Sequence, residues 1–293
     1  MTGPHKVHRS PLRLSAARFM RNRLALVCVA LVALFAAACI AGPWLLPTDY
    51  SDQALERQFR PPSLANWFGT DGLGRDLFVR CLVGGRISLA VGLVGTLVSV
   101  LIGVSYGAVA GYAGARTDAL MMRFVDVLYG LPYLLFVVLI MAMLGRDITP
   151  AQRIIAMFVA LGAVQWLTMA RIVRGEVIAL KEKEFVESAR ACGAGWTRVL
   201  FRHILPNLGG VVIVYSTLTV PTIMLQEAFL SFLGLGVQPP LPSWGSLIGD
   251  GYRVMDAYAW LVIFPGLMFA SVLFALNFIG DGLRDAFDPQ MRT

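Results

Sequence analysis

Six runs of apolar residues, none of them containing a charged side chain, constrain the fold of this chain more than any other feature. They occupy residues 24–46, 87–115, 127–144, 154–170, 204–226 and 257–280. A helix of about 20 residues crosses a hydrocarbon core roughly 30 Å thick, and all six runs are close to that length. The chain is 57% hydrophobic and 15% charged, whereas about 25% of residues are charged in a soluble domain. The sequence therefore predicts an all-α integral membrane protein with six transmembrane helices.

The first run follows a basic segment, as the apolar run of a signal peptide also does. It is 23 residues long, however, and no clear small-residue cleavage site follows it. We therefore expect a retained first span. The predicted organisation is a basic tail (1–23), the first transmembrane helix (24–46), an extracytoplasmic loop (47–86), a core with five transmembrane helices (87–280) and a C-terminal tail (281–293).

The distribution of basic residues predicts the orientation in the membrane. With the amino terminus in the cytoplasm, 17 of the 25 Lys and Arg residues lie inside and 8 lie outside. Cytoplasmic segments of membrane proteins carry such an excess. We therefore expect a multi-pass protein of the cytoplasmic membrane, with both termini inside. The net charge of +7 follows from the same bias, so the lipid bilayer, and not nucleic acid, is the expected partner.

A charged, amphipathic stretch at residues 184–206 separates the fourth and fifth runs. A helix is predicted over 176–191, because this segment contains no Pro or Gly and many good helix formers. The sequence Cys192-Gly193-Ala194-Gly195 should end it, since glycine supplies the positive φ of a turn. A second short helix should then place Trp196, Val199, Leu200 and His203 on one side and Arg198 and Arg202 on the other. By shape alone, this stretch would also suit a solvated connecting loop.

Its residues resemble the EAA loop of the inner-membrane permease subunits of bacterial ABC importers. The matching pattern is Glu187-Ser188-Ala189, three residues, Gly193, ten residues and Leu205-Pro206, with Ser188 in place of the first Ala. The resemblance implies a type I ABC importer permease fold, in which this segment is the cytoplasmic coupling helix docked in a cleft of the ATPase subunit. We expect the ATPase-docking loop to comprise Glu184, Glu187, Ser188, Ala189, Gly193, Arg198, Leu205 and Pro206.

Two further motifs resemble the peptide/nickel branch of these importers. Phe-Gly-Thr-Asp-Gly-Leu-Gly-Arg-Asp begins at Phe68, and Ser-Phe-Leu-Gly-Leu-Gly-Val-Gln-Pro-Pro begins at Ser231, followed by Ser243-Trp244-Gly245. Without that context, the second motif predicts an external loop with an interfacial Trp. The resemblance covers about residues 18–292, and the tail Gly-Asp-Gly-Leu-Arg-Asp from Gly280 favours the oligopeptide members. It implies import of oligopeptides or dipeptides, with nickel, opines or haem as the alternative cargo.

Few polar side chains fall at membrane depth, where they commonly line a cavity or form an internal pair. The candidates for the translocation path or the outer vestibule are Gln165, Gln226, Glu227 and Asn277. Glu227 suits a position in the vestibule or at the headgroup level equally well. Asp126 is expected to pair with Arg123. Gly103, Gly107 and Gly111 favour helix packing within one subunit, and a dimer face is the alternative.

The sequence lacks the motifs of an energy-converting or catalytic chain. It has no Gly-x-x-x-x-Gly-Lys-Ser/Thr loop, and its three His and four scattered Cys residues suit neither a metal site nor a disulfide framework. We expect no enzyme activity, no metal and no cofactor on this chain. ATP and magnesium would bind to two partner ATPase subunits, alongside a homologous second permease in a heterodimer and an extracytoplasmic peptide-binding protein. An intramembrane enzyme and an ion-coupled secondary transporter are the alternatives from other classes.

Overall fold

The computed structural model describes residues 11–143 and 149–287. Within these residues the chain is helical and contains no β-strand. The helices are α1 Pro11–Phe19, α2 Arg23–Leu45, α3 Leu77–Tyr112, α4 Ala115–Tyr129, α5 Tyr133–Met143, α6 Pro150–Lys181, α7 Glu184–Ala191, α8 Trp196–Val199, α9 Gly209–Phe232, α10 Trp244–Tyr252 and α11 Trp260–Phe287. Parts of three sequence predictions lie outside the described residues: the start of the basic tail (1–10), the loop around Arg146 (144–148) and the end of the C-terminal tail (288–293).

In the described part of the chain, five helical segments are long and apolar enough to cross a membrane. They match five of the six predicted spans. The third prediction, residues 127–144, was wrong in outline, because residues 127–129 end α4 and a separate apolar helix, α5, begins at Tyr133. The break falls at Pro132, which cannot donate a backbone hydrogen bond and disfavours helical geometry at the preceding Leu131.

Several helices extend beyond the predicted charge-free runs and include charged residues. Helix α3 begins at Leu77 and not at residue 87, and it includes Arg80 and Arg86. Arg80 donates to Asp71 Oδ2 at 2.8 Å, and Arg86 donates to the Ile40 carbonyl at 3.0 Å. A search for charge-free runs ends at every arginine, whether or not its charge has a partner. The fourth predicted run likewise stops before Arg171, whereas α6 continues to Lys181. The sixth run stops before Asp281, whereas α11 includes residues 281–287 of the predicted tail.

Helices α3 and α6 pack closely against each other. A Cβ atom added to Gly107 would lie 2.4 Å from the Ala170 carbonyl oxygen, and one added to Gly111 would lie 2.7 Å from the Arg174 carbonyl oxygen. Gly103 lies against Met169 in the same way. These glycines let the two backbones touch, which is how helices associate where lipid removes most of the hydrophobic driving force. The structure confirms that the glycine spacing serves packing within the chain.

Two ion pairs join α4 to the second half of α6. Asp126 accepts a hydrogen bond from Arg171 at 2.7 Å, so its predicted pairing with Arg123 was wrong. Arg171 also covers the ring of Tyr129, 4.1 Å from its centroid. Asp118 accepts from Arg174 Nη2 at 2.6 Å, and this hydrogen bond lowers the pKa of the carboxyl group. The sequence analysis overlooked both ion pairs because the partners are more than 40 residues apart in sequence.

Candidate functional site

The loop at residues 184–206 begins with a change of direction that the sequence analysis did not predict. Helix α6 ends at Lys181, Glu182 and Lys183 are not helical, and α7 starts at Glu184. The prediction of one helix over 176–191 was therefore wrong. The turn places Val186, which is fully buried, in an apolar cluster with Val173 and Val177 of α6. Burial of this side chain outweighs the local helix propensity, which is a weak determinant by comparison.

Gly193 ends α7 with the geometry that the sequence predicts. Its φ is +80°. The N–H of Gly193 donates to the Arg190 carbonyl at 2.8 Å, and the N–H of Ala194 donates to the Ala189 carbonyl at 3.0 Å. These two hydrogen bonds define a Schellman motif, in which glycine is favoured because a left-handed conformation costs other residues about 1–2 kcal/mol. A Cβ atom at Gly193 would meet nothing within 4 Å, so the requirement for glycine comes from the backbone alone.

The second half of the loop departs from the predicted amphipathic helix. Helix α8 is one turn long and continues as a π-helical turn, Leu200–Ile204, and a 3₁₀ turn, Leu205–Leu208, directly into α9. Of the four residues predicted on one side, Val199 and Leu200 are buried, together with Ile204 and Leu208. Trp196 is 60% exposed and His203 is half-buried. The π turn widens the helix, so the predicted spacing does not hold beyond Leu200.

The predicted docking residues form the surface of this anchored loop. Glu184, Glu187, Ser188, Gly193, Arg198 and Pro206 are exposed, and Ala189 and Leu205 are half-buried. Three aromatic side chains, Phe185, Trp196 and Phe201, are also exposed. The sequence analysis did not identify Phe185. In an amphipathic helix, two adjacent apolar residues such as Phe185 and Val186 cannot both face the core, and this could have indicated an exposed Phe185. The loop thus has a buried side fixed to α3 and α6, and an outer side bearing charges and aromatic rings.

A cavity of about 520 Å³ lies between the α4–α5 break, α6 and α9. Its lining residues are Leu128, Tyr129, Leu131, Val164, Gln165, Leu167, Thr168, Tyr215, Leu218, Thr219, Thr222 and Gln226. The structure therefore brings together Gln165 and Gln226, two of the four predicted path residues. Tyr129 and Tyr215 are 49% and 39% exposed. The cavity is therefore open to the surface of the chain at these two side chains, and its size is typical of sites for small molecules.

The other two predicted path residues lie elsewhere. Asn277 is exposed on α11, where its Nδ2 donates to the Leu273 carbonyl at 2.9 Å, and it does not line the cavity. Glu227 is fully buried, so its prediction at the vestibule or the headgroup level was wrong. Ser88 donates to its Oε2 at 3.0 Å and Ser231 donates to its Oε1 at 2.6 Å. A carboxylate satisfied in this way holds α3 and α9 together and does not face a path.

This buried polar cluster also involves the start of α10. The backbone N–H of Trp244 donates to Ser88 Oγ at 3.2 Å, and the indole N–H donates to the Cys81 carbonyl at 3.0 Å. Trp244 is fully buried, so its prediction as an interfacial residue was wrong. The serines and the tryptophan of the motif beginning at Ser231 therefore have a structural role. They attach the α9–α10 connection to α3.

Truncation of Glu227 is expected to destabilise the bundle. Glu227→Ala would open a void and remove the acceptor of two buried serine hydroxyls, which should lower the free energy of unfolding by about 3 kcal/mol. Glu227→Gln keeps the volume and one acceptor, and should cost less than half as much. Thermal unfolding of both variants in detergent measures the difference. Equal losses in the two variants would contradict a packing and hydrogen-bonding role.

The glycine-rich motif that begins at Phe68 forms a compact structure before α3. Asp71 accepts hydrogen bonds from Arg75 Nε and Arg80 Nη1, both at 2.8 Å. Asp76 accepts from the backbone N–H of Val79 at 3.0 Å, and so caps the N-terminus of α3. These contacts explain why the motif repeats Asp and Arg at short intervals. They fix the position from which the long helix α3 starts.

The fold and the loop define the class of protein. A family model described as the binding-protein-dependent transport system inner membrane component matches residues 87–293, and the chain belongs to this family. A second model, the N-terminal TM domain of oligopeptide transport permease C, matches residues 10–62. The chain is thus a multi-pass membrane protein, and these matches confirm the recognition of an ABC importer permease from its motifs.

Individual relatives place the chain more narrowly. It is 46% identical to the oligopeptide transport system permease protein OppC of Haemophilus influenzae, over 94% of this chain and 87% of the relative. It is 44% identical to the dipeptide transport system permease protein DppC of Bacillus subtilis, over 94% and 84%. In the inward-facing methionine ABC transporter MetNI, one chain superposes with a TM-score of 0.57 at 21% identity, over 72% of this chain and 96% of that chain. The last comparison confirms the predicted fold.

Proposed function

We propose that this chain is the transmembrane permease subunit of an ATP-driven importer that carries peptides across the cytoplasmic membrane. The names of its oligopeptide and dipeptide permease relatives support the substrate class. The observation that carries the proposal is the 184–206 loop, in which buried Val186, Val199 and Ile204 fix an exposed charged and aromatic surface to the membrane helices. A loop built in this way suits transmission of force from a docked partner.

The loop is the docking element for an ATPase subunit in this proposal. Glu184 and Glu187 lie in the first turn of α7, where acidic side chains stabilise the positive end of the helix dipole. Their carboxylates remain exposed and available to a partner, as do Phe185, Trp196 and Arg198. Two ATPase subunits bind ATP and magnesium and hydrolyse ATP, and this chain binds no cofactor. The amino and carboxyl termini lie in the cytoplasm, on the same side as the loop.

The cavity supports a heterodimer with a homologous second permease. Exposed Tyr129, Leu131 and Tyr215 at its edge offer a surface for the second subunit, which would close the cavity into a path. An extracytoplasmic binding protein delivers the peptide at the opposite end from the loop. Closure of the ATPase dimer moves the loop as a rigid body, and the bundle rocks between inward-open and outward-open states.

The lining of the cavity favours peptides over the alternative cargo nickel. None of the described residues that line it is a His, Cys, Asp or Glu, which are the side chains that hold transition metals. Opines and haem carry carboxylates, as a peptide does at its C-terminus, so the described lining separates peptides from nickel alone, and the names of the relatives favour peptides over the other two. Membership of a binding-protein-dependent transport family also argues against an ion-coupled transporter or an intramembrane enzyme.

Cys192 provides a test of the orientation and of docking in the unmodified chain. It is exposed at the end of α7, whereas Cys28, Cys39 and Cys81 are buried. We expect a membrane-impermeant maleimide to label Cys192 in inverted membrane vesicles and not in intact cells. A bound ATPase should slow this labelling, and Cys192→Ser provides the background. Labelling from the outside of intact cells would refute the proposal.

Import itself is measured with the full transporter in proteoliposomes. The chain is reconstituted with its partner permease, its ATPase subunits and its binding protein, and the uptake of labelled peptides is followed with and without ATP. We expect ATP-dependent uptake of peptides and none of nickel, haem or opines. Uptake of nickel, haem or opines, with no uptake of peptides, would overturn the assignment of substrate.

A further inference from the structure

The cavity between the α4–α5 break, α6 and α9 is lined by uncharged polar residues and apolar residues. Its polar residues are all uncharged, namely Tyr129, Gln165, Thr168, Tyr215, Thr219, Thr222 and Gln226. No Asp, Glu, Lys or Arg is among the described residues that line it. Arg171, which lies over the ring of Tyr129, is paired with Asp126. The described wall therefore presents no unpaired charge, and discrimination between peptide side chains by charge would need an attractive or a repulsive group.

Four of these residues form a stripe along α9. Tyr215, Thr219, Thr222 and Gln226 recur at intervals of three or four residues, so they lie on one face of the helix. At about 1.5 Å per residue the stripe is about 16 Å long. An extended peptide rises about 3.3 Å per residue, so about five residues would lie along it.

Two threonine hydroxyls of the wall already use their hydrogens. Thr219 Oγ1 donates to the Tyr215 carbonyl at 2.7 Å, and Thr222 Oγ1 donates to the Leu218 carbonyl at 3.1 Å. The hydroxyls of Tyr129 and Thr168 share a hydrogen bond at 3.0 Å. A hydroxyl that donates within its own helix still has acceptor lone pairs. The two threonines therefore offer acceptors to a ligand, and a peptide main chain presents donors at regular intervals.

The side-chain oxygen of Gln226 lacks a hydrogen-bond donor. Its side chain lines the cavity and is only 9% exposed, and its Oε1 atom has no hydrogen-bond partner. A buried amide oxygen without a partner costs about 1–3 kcal/mol. Rotation about the last side-chain bond, which is soft, would present the oxygen to a ligand in the cavity. A main-chain N–H of a peptide would supply the missing donor.

Resting on the proposed function, we propose that this cavity binds the main chain of a passing peptide independently of its side chains. Gln226, Thr219 and Thr222 accept main-chain N–H groups along α9. The apolar residues between them, such as Leu131, Val164 and Leu218, contact peptide side chains without selecting by charge. Gln226 is the main substrate-binding residue of this subsite, and a charge introduced there would break its neutrality.

The test uses the full transporter in proteoliposomes and four pentapeptides as probes. Three are penta-alanine and its variants with a central Lys or Glu, and the fourth is penta-alanine with N-methylated amides. Each uptake rate is expressed as the ratio of wild type to variant, so that the preference of the shared binding protein cancels. Gln226→Leu should lower uptake of the first three peptides by the same factor of about five, as expected for one lost hydrogen bond. For the N-methylated peptide the ratio should be close to one.

Gln226→Glu distinguishes contact with the substrate from a structural role. It preserves the shape of the side chain, and it should favour the Lys peptide over the Glu peptide by about fivefold, because a carboxylate attracts one charge and repels the other. A residue that only supports the fold would change both rates equally. Thr219→Val and Thr217→Val form a matched pair, since both hydroxyls donate to the carbonyl four residues earlier and only Thr219 lines the cavity. We expect a loss of uptake in the first variant and none in the second.

The outcomes separate the subsite from the function on which it rests. A wild-type transporter that moves no peptide overturns the proposed function and, with it, the subsite. Peptide uptake that persists unchanged in Gln226→Leu shows a cavity outside the path and overturns the subsite alone. A loss in Gln226→Leu that depends on the charge of the central residue also overturns the subsite alone. Equal losses for the three peptides, together with the charge preference of Gln226→Glu, establish the subsite.

Discussion

Replacement of Gly193 by valine is expected to reduce peptide uptake strongly while the protein still inserts and assembles in the membrane. Gly193 has a φ of +80°, and a β-branched residue is strained there by at least about 1–2 kcal/mol. The strain would open the Schellman turn and change the angle between α7 and α8. An added Cβ atom would meet no other part of the chain within 4 Å, so the core would stay intact. We expect uptake to fall more than about tenfold if the changed angle costs docking more than 1.4 kcal/mol.

Gly175 provides the matched control on α6. It is also exposed, and a Cβ atom there would also meet nothing within 4 Å, but its φ is not positive. Gly175→Val should therefore insert, assemble and transport as the wild type does. The measurements are peptide uptake and peptide-stimulated ATP hydrolysis in proteoliposomes. Normal uptake and hydrolysis in Gly193→Val would contradict the docking role of the loop.

Replacement of Gly107 by leucine is expected to disrupt the bundle itself. The added Cβ atom would lie 2.4 Å from the Ala170 carbonyl oxygen, a backbone atom that cannot rotate away. Overpacking costs about 1–3 kcal/mol where side chains can adjust, and we expect more than about 3 kcal/mol here. The consequence should be separation of α3 from α6, with aggregation or loss of the folded form in detergent.

The control for this substitution is Gly114, between α3 and α4. A Cβ atom there would meet nothing within 4 Å and its φ is −66°. Gly114→Leu should unfold at a temperature close to that of the wild type. Thermal unfolding and size-exclusion profiles of the two variants measure the difference. Similar profiles for Gly107→Leu and Gly114→Leu would mean that the α3–α6 contact is not a determinant of the fold.

Much of the fold was predictable because membrane depth imposes its own pattern. The apolar runs identified five spans, since lipid excludes charge from a helix that has no partner for it. The ends of the helices were not predictable, because a charged residue that has a partner can lie inside a long helix. Arg80, Arg86 and Arg174 lie inside long helices because Asp71, the carbonyls of α2 and Asp118 accept hydrogen bonds from them. Those partners are distant in sequence and become visible only in three dimensions.

The sites were predictable where the backbone alone decides and not where packing decides. Gly193 could be predicted because a helix that ends in a left-handed turn prefers glycine in any context. The burial of Glu227 could not, because it depends on Ser88 of α3, which is 139 residues away in sequence. Gln165 and Gln226 were predicted as polar residues at depth. That they share a cavity follows from the packing of α6 on α9, which no local pattern encodes.

Helix α6 is one uninterrupted rod from Pro150 to Lys181, and it bears both the cavity wall near Gln165 and the valines that hold α7. Over the 16 residues from Gln165 to Lys181 it extends about 24 Å. A movement of the 184–206 loop would therefore tilt α6 as one unit and displace the part of α6 that lines the cavity. The opposite wall is jointed at Pro132, between α4 and α5. Because α6 is continuous and the facing segment is interrupted at Pro132, the cavity could change its width while the rest of the bundle keeps its contacts.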